Sequence, residues 1–126
     1  ISQLADLINQ FRSQNGVTPL TLQPQVLAVA QAHSSDMASN NYFSNSNQAG
    51  QTIGDLLRQA NYIASFWNVH ISAGHSTPQA AFNALINDPA LQAELLNPNI
   101  SEFGIGHAQN AQATYGHYLT VVYSQP

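Results

Sequence analysis

Cysteine is absent from this chain of 126 residues, which excludes disulfides, thiolate zinc sites and a cysteine nucleophile within it. The absence leaves the compartment open, because exported domains do without disulfides when their cores suffice. Charge is nearly as scarce: charged side chains make up 6% of the chain, Arg12 and Arg58 are the sole fixed cations, and six carboxylates bring the formal charge to −4. Phosphate recognition needs clustered Lys and Arg, so no nucleic-acid partner is expected, and there is no basic patch for anionic lipid. No apolar run reaches the roughly 18 residues of a membrane span, so no transmembrane segment is expected. Ile1 opens directly into an amphipathic segment without a signal-peptide pattern, as in a trimmed or mature form.

What is present is neutral. Apolar residues supply 44% of the chain, enough for one compact domain over residues 1–126, with no internal repeat or linker. Gln, Asn, Ser and Ala take the place of ions on the surface, so solubility rests on uncharged polar groups. A monomer is expected.

Periodicity assigns the elements. Leu4, Leu7, Ile8 and Phe11 recur at helical spacing and Gly16 stops them, which predicts a helix over about residues 2 to 15. Pro24 opens a second helix with Val26, Val29 or Ala30, His33 and Met37 inward, ending near Asn40. NYFSNSNQAG, residues 41 to 50, reads as a loop, and Thr52 with Asp55 forms a capping box for a short third helix. A strand is expected within Tyr62 to Ile71. Thr77 as cap and Pro78 in the first turn start a fourth helix with Ala81, Phe82, Leu85 and Ile86 inward, and a short helix follows over about residues 89 to 96. Phe103, Ile105 and His107 alternate on one strand, as do His117, Leu119, Val121 and Tyr123 on another, predicting a terminal hairpin. Helices first, an antiparallel pair last and one inserted strand make an α+β, layered α-β-α domain.

Several motifs occur in the order and spacing of one family: LINQFRSQNGVTPLTLQPQVLAVAQAHSSDMASNNYFS, Gly50 to Thr52, ISAG with STPQAA, LLNPNISEFGIGHA and YGHYLTVVYS. Together they span nearly the whole chain, which resembles the CAP superfamily, the SCP-like extracellular domain, in its bacterial form. The resemblance implies an α-β-α sandwich around a three-stranded antiparallel sheet, and a secreted, extracellular or cell-surface location. It also implies a cleft lined by two histidines and two acids that can hold a divalent ion.

Carried over residue by residue, that ligand set falls on Asn45, Val69, Asp88 and Leu91, with His70 beside Val69. Val and Leu cannot bind zinc, so the inherited tetrad reads as degenerate, and neither a metal nor another cofactor is expected. The stretch FWNVHISAGHSTP holds His70 and His75, which would face opposite sides of a continued strand, while Gly74 between them favours a turn; by spacing they form no ligand pair. His75 is read as serving the start of the fourth helix beside its cap, Thr77. His70 stays open between a cleft group and a hydrogen-bonded strand histidine. His33, with Asp36 one turn on, is read as a buried, hydrogen-bonded packing group, and His107 with His117 as a surface pair across the hairpin.

No serine elbow, phosphate loop or dinucleotide fingerprint occurs, so no catalytic residue is assigned. The leading expectation is a non-catalytic module binding a small apolar ligand of lipid or sterol type, a cell-wall glycan or a protein partner. Trp67, Val69, His70 and the tetrad positions would line its cleft. Two alternatives remain: a metal-assisted hydrolase using His70, Asp88 and Asn45, and a structural or adhesion module of a longer exported protein.

Overall fold

The computed structural model describes residues 2–126; Ile1, and with it the expected trimmed start, lies outside the described residues. Helix α1 covers Ser2–Gln14, strand β1 Thr21–Leu22, α2 Pro24–Asn40, α3 Ile53–Gln59, β2 Phe66–Ala73, α4 Pro78–Asn87, α5 Pro89–Leu95, β3 Glu102–Gln109 and β4 His117–Gln125. The helix starts are those the sequence marks. Gln23 accepts from the Gln25 and Val26 amides ahead of α2, Thr52 and Asp55 close a capping box on α3, and Thr77 caps α4. Asn41 ends α2 in the left-handed region at φ 50°.

The domain is α+β, with helices on both faces of the sheet, as expected. The sheet has four strands rather than three, in the order β1-β3-β4-β2. The additional strand is the two-residue β1, which pairs parallel to Glu102 and Phe103 of β3. Two residues are too few to carry a period, so only the pairing reveals them. Strand β2 begins four residues later than Tyr62. That residue follows a turn in which Asn61 takes φ 63°, and its own side chain is buried.

Alternation on the sheet separates two cores. Phe103, Ile105, Leu119, Val121 and Tyr123 face α1, α4 and α5. Val122, Trp67 and Val69 pack with Val26, Val29, Ala30, Ile53 and Leu57 of α2 and α3, and Tyr118 and Ile71 extend that layer to Met37. Helix α2 lies directly on the strand backbone: a Cβ on Gly104 would stand 2.4 Å from the Val26 carbonyl, and one on Gly106 2.3 Å from the Ala30 carbonyl oxygen. Ser34 Oγ, fully buried, donates to Gly106 O at 3.0 Å and lies 2.7 Å from Thr120 Oγ1, fixing the helix along the strands.

Arg12 is 1% exposed and has no carboxylate partner among the described residues. Its guanidinium donates to the carbonyls of Thr18, Leu95 and Asn97 at 2.8, 2.7 and 3.0 Å and reaches Ile100 O at 3.5 Å. Burial lowers its pKa, yet a guanidinium keeps its charge, and the carbonyls at the end of α5 supply the compensating negative potential.

Gly106→Ala should therefore cost about 3 kcal/mol in urea unfolding, the upper end for overpacking, because the added methyl meets helix backbone rather than a side chain that can rotate. A loss below about 0.5 kcal/mol, the level of an ordinary surface change, would show that α2 does not rest on β3.

Candidate functional site

The sheet divides the residues singled out from sequence. Trp67 and Val69 face α2 and α3, with the Trp67 ring lying against Gly54 so closely that a Cβ there would fall 2.6 Å from its Nε1. His70, next along β2, is opposite Val121 and therefore on the α1–α4 side. Leu91 packs against that same core, half-buried. Asp88 is exposed, its Oδ1 accepting from the Ala90 and Leu91 amides as the cap of α5. Asn45 is exposed in the loop after α2. Val69 and His70 thus point into different layers, and among the described residues no three His, Asp or Glu side chains converge as metal ligands. Of the four positions that the family resemblance assigns to the cleft, two have no donor atom and Asp88 is committed to a helix end, so these residues do not fit a resident divalent ion.

Space for a ligand lies on the α1–α4 side. A cavity of about 180 Å³ opens between Leu4 of α1, Ala81 of α4 and the sheet residues Ile105 and Leu119, all nearly fully buried. His75, Ser76, Thr77 and His107 form its polar rim. It is followed outward by a groove of about 510 Å³ that shares Thr77 and Pro78 and is otherwise lined by Gln3, Asp6, Leu7, Gln10 and Gln79. The buried end of the cavity is therefore apolar and its more exposed rim polar.

Local structure explains each rim group. Gly74, at φ 83°, turns the chain out of β2, so the strand does not continue and His75 comes to the same side as His70. The turn that Gly74 marks in the sequence is present, so the opposite facing that a continued strand would impose does not arise. His75 makes no hydrogen bond to the start of α4; Thr77 Oγ1 alone accepts from the Ala80 amide, at 3.1 Å. His70 Nε2 and Ser72 Oγ, on the same face of β2, are buried without hydrogen-bond partners. His70 titrates below its ordinary value because burial penalises the cation and His75 adds to that, while Asp88 opposes it. His107 and His117 lie diagonally, opposite Leu119 and Gln109, with Nε2 to Nδ1 at 3.1 Å and rings stacked at 5.3 Å. One ring must offer a lone pair to the other. Burial first, then His117, holds the His107 pKa down.

His33 is buried as expected, but its partner is not Asp36. Its Nε2 lies 2.7 Å from the Ser44 carbonyl and must carry the donated proton, while Asp36 accepts from Tyr42 Oη at 2.5 Å and Asn40 Nδ2 at 2.7 Å. Tyr62 is core: its hydroxyl donates to Glu102 at 2.5 Å, and burial with that bond pushes its pKa up to about 12.

A family model described as the cysteine-rich secretory protein family, CAP, matches residues 5–123. The uncharacterized protein YkwD of Bacillus subtilis (strain 168) is 25% identical over 108 residues, covering 86% of this chain and 42% of that protein. In three dimensions the chain superposes along its whole length on an extracellular protein containing a SCP domain from Bacillus anthracis str. Ames, with a TM-score of 0.88, 29% identity and 40% of that chain covered. An outer surface protein from Borrelia burgdorferi shares the fold at a TM-score of 0.88 and 14% identity, with 98% of this chain and 90% of that one covered. The chain spans less than half the length of YkwD and of the Bacillus anthracis protein. No described helix is long and apolar enough to cross a membrane.

The lowered imidazole pKa values make stability depend on pH. A histidine that binds its proton less readily when folded favours the unfolded chain once protons are available there. The urea midpoint should fall as pH drops below about 6.5 and level off below the folded-state values. His70→Gln should make that slope shallower, and a midpoint flat from about pH 7.5 to 5 would contradict the burial of these rings.

Proposed function

Because the chain belongs to the cysteine-rich secretory protein (CAP) family, we propose that it serves as a non-catalytic module of an exported protein. It holds a small amphipathic ligand between α1 and α4, and the family's metal-binding cleft has been given up. One observation carries this reading: the cavity is apolar at its inner end, at Leu4, Ala81, Ile105 and Leu119, and polar where it opens. A ligand with a hydrocarbon end and a hydrogen-bonding end matches that gradient, because each half meets surface of its own kind.

Size narrows the ligand. The inner cavity, about 180 Å³, is below the roughly 300–1,000 Å³ of pockets that enclose drug-sized molecules and close to the about 150 Å³ that holds benzene. It takes the end of an acyl chain or one small ring, and the remainder extends along the outer groove. A sterol nucleus does not fit the inner space. The rim imidazoles donate or accept single hydrogen bonds, suiting a hydroxyl, amide or carboxyl head.

The loss of the cleft is supported by side-chain chemistry at Val69 and Leu91 and by the division of Val69 from His70 across the sheet. The exported setting is supported by the relatives named as extracellular and outer-surface proteins.

Methyl-resolved NMR titrations with hexanoate, decanoate and cholesterol test the assignment. The acids should shift the methyl signals of Leu4, Ile105 and Leu119, cholesterol should not, and Ala81→Leu, which fills the space, should weaken binding at least about tenfold. Silence from every acid, or shifts confined to Val69 and Leu57 on the far face, would remove the proposal.

A further inference from the structure

Two large aromatic side chains stand together on the surface, far in the chain from the cavity residues of α1 and α4. Phe43 is 43% exposed and Tyr115 52%, and their rings meet edge to face with centroids 5.7 Å apart at 62°. They come from separate segments, the loop after α2 and the turn between β3 and β4.

Both segments are tied down from beneath. His33 holds the Ser44 carbonyl and Asp36 holds the Tyr42 hydroxyl on either side of Phe43. Asn41 Oδ1 accepts from the Thr114 amide at 2.9 Å and lies 3.4 Å from Tyr118 Oη, joining the α2 end to the turn. Asn110 Nδ2 donates to Ala38 O at 2.9 Å, and Tyr115 meets Tyr118 edge on. Two exposed rings in a fixed arrangement lose little freedom when something is laid on them.

The one carboxylate nearby, Asp36, is taken up by the Tyr42 hydroxyl and the Asn40 amide. Residues 37–54 and 103–126 contain no Asp, Glu, Lys or Arg. An anionic occupant would find no cation there and a cationic one only a carboxylate already hydrogen-bonded twice, and a protein partner needs about 800 Å² per side, more than two half-exposed rings of about 150–250 Å² each provide. An uncharged chain of hydroxyl-bearing rings meets neither obstacle. Its C–H faces lie on the negative faces of aromatic rings, and its hydroxyls meet neutral amide and hydroxyl groups, which Asn45, Gln112 and Thr114 expose beside the pair. We propose that Phe43 and Tyr115 form a docking platform for an uncharged saccharide chain, a second binding site independent of the α1–α4 cavity.

Backbone-amide NMR titrations with chitotetraose and cellotetraose test it. At least one saccharide should shift residues 43–45 and 112–118, decanoate should not displace it, and Phe43→Ala and Tyr115→Ala should each weaken binding about tenfold. Phe43→Tyr and Tyr115→Phe, which keep the ring faces, should retain it, with each variant's spectrum otherwise matching the parent's. Lack of shifts with both saccharides, shifts that map elsewhere, or affinity unchanged in both alanine variants would overturn the proposal.

Discussion

The contact of the α2 backbone with Gly104 and Gly106 is the constraint on which the remaining arrangement depends. With no side chain between helix and strand at these points, α2 is seated at one depth and one position along β3. Neighbouring Phe103, Ile105 and His107 must then face the opposite layer. The register of β4 and β2 transmits the same alternation, sending Val121 and His70 with Ile105, and Val122 and Val69 with α2. The division of the sequence-derived cleft residues between two layers follows from this one seating.

A chain so poor in ions needs other means of fixing its elements, and neutral amides supply them. Gln31 uses both ends of its amide on the backbone of His107, donating to its carbonyl and accepting from its N–H, where β1 no longer covers the strand. Asn9 does the same for Leu20 just before β1. Each satisfies a donor and an acceptor without the desolvation cost of a buried ion pair. Arg12 is the exception, and it too is met by dipoles rather than by an opposite charge. The salt bridge between Arg58 and Asp55 lies on the surface of α3, where it contributes little.

Helix positions, caps and the terminal hairpin were legible because they rest on local signals: the spacing of Leu4, Leu7, Ile8 and Phe11, the Thr52–Asp55 box, Thr77 before Pro78. The opposite facing of Val69 and His70 follows from strand alternation alone, and it corrects the expectation that both line one cleft. The turn at Gly74 was readable too, but the place of His75 was not: it lines the cavity instead of serving the start of α4. Nor was the partner of His33, which is a backbone carbonyl eleven residues away rather than the carboxylate one turn on. The cavity was illegible for a different reason. Leu4, Ala81, Ile105 and Leu119 all read as inward-facing, and periodicity says which residues face a core but not whether they fill it. The Phe43–Tyr115 pair likewise joins two loops whose approach depends on the whole fold.

Ligand-sized space lies between α1 and α4, on the face of the sheet opposite Val69 and Trp67. Xenon, which enters dry apolar cavities without a specific hydrogen bond, reads this directly in pressurised crystals. The account predicts anomalous density bounded by Leu4, Ala81, Ile105 and Leu119. Density beside Val69 and Trp67 with none at that cavity, or no xenon in the domain at all, would contradict it.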